Sequence, residues 1–358
     1  MTEKKNGERR VLVGISGGVD SAVALALLKT AGYALEAVFL HLTVDNKKTA
    51  KALSDAKKVC KILGVTLHVK EARALFEQKI IGYFVNEYAK GNTPNPCIFC
   101  NENIKFKLLL EVAKELKINL VATGHYARIK KIKNGGELKY KLFSGIDNKK
   151  DQSYFLYRLK QEQLSKVLFP LGDYEKETVR KLAEDFNLPV FEKNDSQDVC
   201  FMHNGGLEDF LKKKINLKKG AIIDTEGKIL GEHRGLALYT IGQRKGIEIG
   251  GGGPYFVVGK KINKNLLVVT NNLQDLTLFK SVVNLKQVSW VGDCPRLPLK
   301  ILVRTRYRNF LEYAIIKAEK DRKKYWLEFE NLQRAPSPGQ SAVFYAKNGE
   351  VLGGGIIK

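Results

Sequence analysis

The stretch Val11-Leu12-Val13-Gly14-Ile15-Ser16-Gly17-Gly18-Val19-Asp20-Ser21-Ala22 leaves the chain little freedom of fold. Val11 to Ile15 is a continuous apolar run, as in a strand buried on both faces. Val23, Leu25, Leu27 and Leu28 then follow as the apolar side of a helix. Between them Gly17 and Gly18 permit a sharp turn that aims bare backbone N–H groups at an anion. The helix adds the positive end of its dipole, and Ser16 and Ser21 add hydroxyl donors. No Lys follows the glycines, which excludes the GxxxxGK[ST] loop of the common NTPases. A glycine-rich turn of this kind also occurs as plain packing in doubly wound sheets. Two serines and Asp20 crowded around the glycine pair favour a phosphate.

The next elements extend the same pattern. Gly32 ends the first helix, Leu35 to Leu42 reads as a second buried strand, Leu53 to Leu63 as a helix stopped by Gly64, and Val65 to Val69 as a third strand. Strand-helix alternation at this pace means a parallel α/β sheet, with its ligand at the carboxyl ends of the strands. A helix over Leu75 to Ala89 precedes Gly91 to Asn101, which two prolines hold as an extended loop. Helix Ile104 to Leu116, strand Leu120 to Thr123 and a hairpin turning at Asn134-Gly135-Gly136 come next. A helical region then runs from Lys149 to near Asn187.

Around Asn204-Gly205-Gly206 the texture changes. After a helix over Leu207 to Ile215, strands are expected at Ile222 to Leu230, Leu236 to Ile241, Tyr255 to Lys261 and Leu266 to Thr270. Gly250 to Gly253 follows no strand-to-helix pattern and reads as a mobile loop. Past Asn271 short alternating strands predict a small antiparallel barrel: Val282 to Trp290, Leu299 to Arg304, Tyr313 to Lys317, Trp326 to Phe329, Ala342 to Tyr345 and Val351 to Ile357. Three domains are therefore expected, over 1–204, 205–271 and 272–358.

A chain of 358 residues with 61 Lys+Arg against 38 Asp+Glu carries a formal charge of +23, which suits a polyanionic partner such as nucleic acid. Surface lysines spread evenly would give the same total. The first ten residues are polar, with no apolar segment for a signal peptide, and no apolar run approaches a membrane span. Five cysteines, an odd number, speak against a secreted disulfide framework and for a reducing cytoplasmic setting.

Three of those cysteines sit in suggestive places. Cys97 and Cys100 form a C-x-x-C, and Cys200 lies much later on a polar stretch ending at His203. A phosphate-binding mouth with Lys nearby is expected to lower thiol pKa values toward neutrality. The group admits three readings: a Cys₃His zinc site, a structural disulfide, or a sulfur relay in which one cysteine carries a persulfide and another resolves it. Cys60 and Cys294 look structural or incidental.

The SGGVDS loop resembles the pyrophosphate loop (PP-loop) of the ATP pyrophosphatases. That motif occurs here with a longer ordered set: Thr93-Pro94-Asn95-Pro96-Cys97-x-x-Cys100-Asn101, Ala122-Thr123-Gly124-His125-Tyr126, Lys150-Asp151-Gln152-Ser153-Tyr154-Phe155, Ser196-Gln197-Asp198-x-Cys200-Phe201, Gly231-x-His233-x-Gly235, Tyr239-Thr240-Ile241-Gly242-Gln243-Arg244 and Arg306-Tyr307. Together they resemble the tRNA-specific 2-thiouridylases over nearly the whole chain. The resemblance implies an α/β fold: an N-terminal doubly wound parallel sheet of the ATP pyrophosphatase type, a small mostly-β central domain and a C-terminal antiparallel β-barrel.

It further implies ATP- and Mg²⁺-dependent replacement of the wobble uridine's C2 oxygen by sulfur in tRNAs for Lys, Glu and Gln. By that resemblance Gly14, Ile15, Ser16, Gly17, Gly18, Val19, Asp20 and Ser21 bind ATP, with Leu40 and Gly124 near its adenine or ribose. Mg²⁺ comes with ATP and is held by no set of protein groups alone, Asp20 being either a ligand or an acid one step behind the ligands; no permanently bound cofactor is expected. Cys100 is the nucleophile and Cys200 carries the persulfide, received from a sulfur-carrier protein fed by a cysteine desulfurase. Asn95, Pro96, Cys97, His125 and Gln340 border the target base, and Lys150, Asp151, Gln152, Arg306 and Tyr307 contact tRNA. From residue type alone, Arg304 to Arg308 reads equally as a solvated strand edge and His125 as a core or capping histidine. Two rival functions keep the same loop: an ATP-dependent amide or amino-acid ligase indifferent to the cysteines, and a zinc-stabilised RNA-binding module.

Overall fold

A computed structural model describes residues 9–43, 47–134, 136–194, 199–202, 206–250 and 254–358. Expectations for Ser196-Gln197-Asp198, His203, Asn204-Gly205, Gly135 and Gly251 to Gly253 lie outside the described residues. Among the described residues the strands form sheets of five, four and eight strands. The first is wholly parallel: β1 (Arg10–Gly14), β2 (Ala34–His41), β3 (Thr66–Glu71), β4 (Leu120–Ala122) and, after a hairpin of β5 (Ala127–Asn134) and β6 (Glu137–Ser144), β7 (Val167–Leu168). Its spatial order is β3-β2-β1-β4-β7. The chain therefore winds one way from β1 to β3 and the other way from β4 to β7. The switch point falls between the ends of β1 and β4, where such sheets bind ligands. The two-residue strand β7 was not legible in the sequence, being too short to show any periodicity.

Helices cover both faces. The helix α1 (Val19–Thr30), the Lys47–Ile62 helix and the Lys176–Asp185 helix share one buried cluster, centred on Val11, Val13, Ala22, Leu25, Val59 and Val179. The Phe106–Glu115 helix covers the other face through Phe106, Leu109 and Val112. That second cluster runs on without a break into Val343, Tyr345 and Val351 of the C-terminal unit.

The central unit has β8 (Gly220–Ile223), β9 (Ile229–His233), β10 (Phe256–Lys261) and β11 (Leu266–Thr270), packed over Ile222, Tyr239, Val257 and Val269. The single strand expected from Ile222 to Leu230 is two. Asp224 accepts from the backbone N–H groups of Glu226 and Lys228 and turns the chain there. The expected strand at Leu236 to Ile241 is instead a short 3₁₀ turn, Leu236–Leu238, entered through Gly235 at φ 136°. The C-terminal unit has β12 (Phe279–Trp290), β13 (Leu299–Arg304), β14 (Glu312–Ala318), β15 (Tyr325–Arg334), β16 (Ser341–Tyr345) and β17 (Glu350–Ile357). It is closed into an antiparallel barrel by the pairing of β12 with β17.

The β5–β6 hairpin of the first unit does not stay with its own sheet. Residues Leu142 and Phe143 of β6 pair with Val351 and Glu350 of β17, so the hairpin extends the barrel's sheet. Three fully buried tyrosines seal this junction, with every hydroxyl partnered. Tyr154 donates to the Ser341 carbonyl at 2.8 Å, Tyr157 meets Ser341 Oγ at 3.2 Å and Tyr345 meets Ser153 Oγ at 3.4 Å.

At the switch point backbone meets backbone. A Cβ on Gly124, just after β4, would stand 2.7 Å from the Asp20 carbonyl carbon and the Ser21 nitrogen in the first turn of α1. Gly124→Ala should therefore push α1 off the sheet and destabilise the protein by about 1–3 kcal/mol. Thermal melting checks this: an unchanged melting temperature would show that the turn has room to give.

Candidate active site

The phosphate loop is shaped before any ligand arrives. Gly17 lies at φ 70°, and a Cβ there would fall 2.1 Å from the Ala52 carbonyl oxygen, so only glycine fits. Ser21 Oγ accepts from the Ser16 backbone N–H at 3.1 Å and donates to the Gly18 carbonyl at 3.1 Å, which fixes the curl. No side chain caps α1 at Gly18, so the first-turn N–H groups remain directed outward with the helix dipole behind them. Such a cradle fits a polyphosphate.

Lys176, Lys193 and Tyr126 support this loop; Tyr126 closes the Ala122 to Tyr126 motif, whereas local motifs gave no sign of the two lysines, which come from distant parts of the chain. Asp20 Oδ1 accepts from Lys176 Nζ at 2.6 Å and from the Tyr126 hydroxyl at 2.8 Å. Lys193 Nζ donates to the Gly17 carbonyl at 2.7 Å and to Asp55 Oδ2 at 2.8 Å. Asp20 can offer a cation only its other oxygen, Oδ2. Among the described residues no three His, Cys, Asp or Glu side chains gather closely enough to hold a metal ion; His203, needed for the zinc reading, lies outside them.

Cys97 and Cys100 are not on an extended loop. Asn95 caps a helix, Pro96–Cys100, accepting from the Cys97 N–H at 3.1 Å, with Pro96 in its first turn. Asn-Pro is a helix-start signal, and here it overrides the extending effect of the two prolines. A π-helical turn, Asn101–Lys105, follows directly. One extra residue in that turn carries Lys105 round toward the face of Cys100. The entry to this helix is gripped from two sides. The Pro338 carbonyl accepts from the Thr93 N–H at 2.8 Å, Gln340 Nε2 donates to the Thr93 carbonyl at 2.8 Å, and Thr93 Oγ1 meets Thr240 Oγ1 at 3.1 Å.

Cys200 reaches the same place through its neighbour. Phe201 is 4% exposed and packs edge-on against Phe76 and Phe84, with ring centroids 5.8 and 5.1 Å away. It shares one buried cluster with Cys100 and Ile104, against which Leu40 also packs. Cys97 and Cys200 are exposed and Cys100 is buried, yet enough protein surrounds all three thiols to desolvate them.

This crowding decides the thiol chemistry. Burial pushes Cys100 up to about 11 and Cys200 up to about 12, and raises Cys97 as well. Lys105 pulls all three down, but by less than burial raises them. The thiols also raise one another, Cys97 acting on Cys100 and both acting on Cys200. The expectation of near-neutral thiol pKa values is thus corrected: desolvation outweighs the nearby lysine. His125 is wedged between Phe106 and Phe169, 5.7 and 5.9 Å away, with Nδ1 2.7 Å from Thr123 Oγ1. Burial, aided by Lys105, depresses its pKa well below the ordinary value, so it stays neutral.

The residues expected at tRNA divide. Arg306 is exposed. Lys150 is half-buried, its backbone N–H bound to Asp147. Asp151 is 2% exposed, accepting from Gly145 and Ser153 and pairing with Arg304 at 3.3 Å, so its side chain faces inward and shapes the loop. Gln152 accepts from the Tyr126 N–H at 3.1 Å. Tyr307 packs inward against Phe155 at a tilt of 51°, ring centroids 4.4 Å apart, with the Arg308 guanidinium over its ring. Gln340 is 8% exposed and spends its amide on Thr93. Arg304 is no solvated edge residue; it is half-buried beside Asp151 and Tyr345.

A parallel sheet carrying a PP-loop at its switch point, joined to two β units, defines a nucleotide-dependent enzyme of the HUP class. Family models agree: one described as a tRNA methyl transferase HUP domain matches residues 9–204, a tRNA methyl transferase PRC-barrel domain 208–271 and an aminomethyltransferase β-barrel domain 280–357. Among curated relatives, a tRNA-specific 2-thiouridylase of Ruthia magnifica subsp. Calyptogena magnifica is 41% identical over 99% of this chain and 98% of its own. Those of Thermoanaerobacter sp. (strain X514) and Clostridioides difficile (strain 630) are 43% and 40% identical, each over 98% of both chains. The chain belongs to the tRNA-specific 2-thiouridylase family.

If burial governs the thiols, iodoacetamide labelling of Cys100 and Cys200, followed by peptide mass spectrometry, should climb about tenfold per pH unit from pH 7 to 9 without levelling off. Lys105→Met should slow both by roughly threefold to tenfold, because losing a neighbouring cation raises a thiol pKa further. A plateau near pH 7 would contradict this account.

Proposed function

We propose that this chain thiolates tRNA at C2 of the wobble uridine in tRNAs for Lys, Glu and Gln, using ATP. The observation that carries the reading is that Cys200, remote in sequence, is brought beside Cys100: its neighbour Phe201 shares one buried cluster with Cys100, and Cys100 in turn raises the Cys200 thiol. Methyl or aminomethyl transfer, suggested by the wording of the family models, gives such a pair no role. In the proposed sequence Gly14 to Ser21 hold the triphosphate, with Leu40 and Gly124 beside the nucleoside; Mg²⁺ arriving with ATP would be met by Asp20 and would offset the phosphate charge. The uracil O2 attacks the α-phosphate and pyrophosphate leaves. The terminal sulfur of a Cys200 persulfide then attacks C2 and expels AMP. Cys100 attacks the Cys200 sulfur, forming a Cys100–Cys200 disulfide and releasing 2-thiouridine, so each turnover requires reductant.

Roles for the remaining residues follow from their positions. Asn95, Pro96 and Cys97 form the start of the thiol-bearing helix, with Pro96 buried and Cys97 exposed, and the base is placed beside them. His125, held neutral, borders that space without adding charge. Gln340 acts at one remove by fixing Thr93. Lys150, Arg306 and the loop shaped by Asp151, Gln152 and Tyr307 take up the RNA backbone. Thiols kept protonated at rest are shielded from stray oxidation, and Lys105 is placed to favour the anion when the reaction produces it. The persulfide is expected from a carrier protein supplied by a cysteine desulfurase. No described helix is long and apolar enough to cross a membrane.

Nucleoside mass spectrometry on unmodified tRNA for Lys, incubated with the protein, ATP, Mg²⁺ and a persulfide source, tests the reading. The native protein should yield 2-thiouridine. Cys200→Ser and Cys100→Ser should each lose at least about a thousandfold of the rate. Full turnover by the double Cys→Ser variant would overturn the mechanism.

A further inference from the structure

A cavity of about 270 Å³ opens at the seam between the central β unit and the barrel, lined by Gly242 on one side and by Thr305, Arg306, Asn309 and Arg334 on the other. Arg306 and Arg334 are both exposed, and among the described residues neither guanidinium enters an ion pair or hydrogen bond. Among the described residues no carboxylate lines the cavity. Two uncompensated guanidiniums beside a hydroxyl and an amide make an anion site, and the planar five-donor fork of arginine matches phosphate oxygens.

The seam is held in shape by backbone in the left-handed region. Ala335, next to Arg334, lies at φ 52°, and Gly242 lies at φ 81° with its would-be Cβ only 2.6 Å from Ala335 Cβ. Strain of this kind is kept where a surface must present one geometry. The Arg334 guanidinium also rests on the Phe256 ring, 5.3 Å from its centroid, which orients it at the cavity mouth. Gln340, on the cavity wall, reaches Thr93 at the entry to the Cys97–Cys100 helix. The cavity is therefore mechanically joined to the thiol site.

We infer that this seam cavity is a phosphodiester pocket in which Arg334, together with Arg306, grips the tRNA backbone close to the target nucleotide. The inference rests on the tRNA-thiolating reading above and adds Arg334 and a defined pocket to it. The same phosphate chemistry could come from a free nucleotide, and the experiment separates the two sources.

Full-length protein is titrated into fluorescently labelled unmodified tRNA for Lys across a KCl series, and ATP affinity is measured alongside. Arg334→Met, which keeps an apolar contact with Phe256, should weaken tRNA binding about tenfold at low salt. It should also lower the slope of log affinity against log salt by roughly 0.7–1, with ATP affinity unchanged. Arg334→Lys should restore the slope, since a lysine still neutralises one phosphate; a purely structural role would not give that recovery. An Arg334→Met variant binding tRNA within twofold of the native protein with the same slope overturns the inference alone. Weakened ATP binding with tRNA binding intact overturns it in favour of a free-nucleotide site. A native protein that binds no tRNA overturns both this inference and the reading beneath it.

Discussion

The site depends on two places where backbone approaches backbone with no side chain between. At Gly17 the loop lies against the Ala52 carbonyl, and at Gly124 the end of β4 lies against the first turn of α1. The first closes the phosphate cradle from the side of β2, and the second closes it from the side of β4. Together they lock the switch point, so the first-turn amides of α1 cannot swing away from what they bind. Lys176 and Lys193 reinforce the same corner from elsewhere in the chain, binding Asp20 and the Gly17 carbonyl.

The parts legible in the sequence were those with local grammar. The apolar run of β1, the glycine pair and the strand-helix alternation of residues 10–71 correspond to observed elements, as do the barrel strands. What escaped falls into two kinds. One is competition between local signals: Pro94 and Pro96 argue for an extended chain, while Asn95 followed by proline argues for a helix start, and the cap prevails. The other is remoteness. Lys105 acquires its importance from a π turn, Phe201 from an aromatic cluster built of three other segments, and the β5–β6 hairpin from a barrel formed far downstream. No periodicity encodes such meetings.

Charge shows the same division between what composition says and what placement does. A formal +23 suggests a polyanionic partner, yet several cations near the site are turned inward on internal tasks: Lys176 on Asp20, Lys193 on Asp55 and Arg304 on Asp151. Two thiols separated by about half of the first unit are brought into a space where desolvation outweighs the nearby positive charge of Lys105. Reactivity there is governed by what enters the space, because an anionic substrate and its water shell change the very balance that keeps the sulfurs protonated.

The hairpin shared with the barrel bears on how the chain is made. Strands β5 and β6 are synthesised long before β17, and until then an edge that will later pair stands open, which invites wrong partners. The hairpin carries Lys130, Lys131, Lys133, Lys139 and Lys141, so the waiting edge repels a second copy of itself. Once β17 arrives, the nascent barrel and the earlier sheet are sewn into one cooperative body. A strand made some two hundred residues after the β5–β6 hairpin thereby becomes the latch that ties that hairpin to the barrel, by the order of synthesis alone.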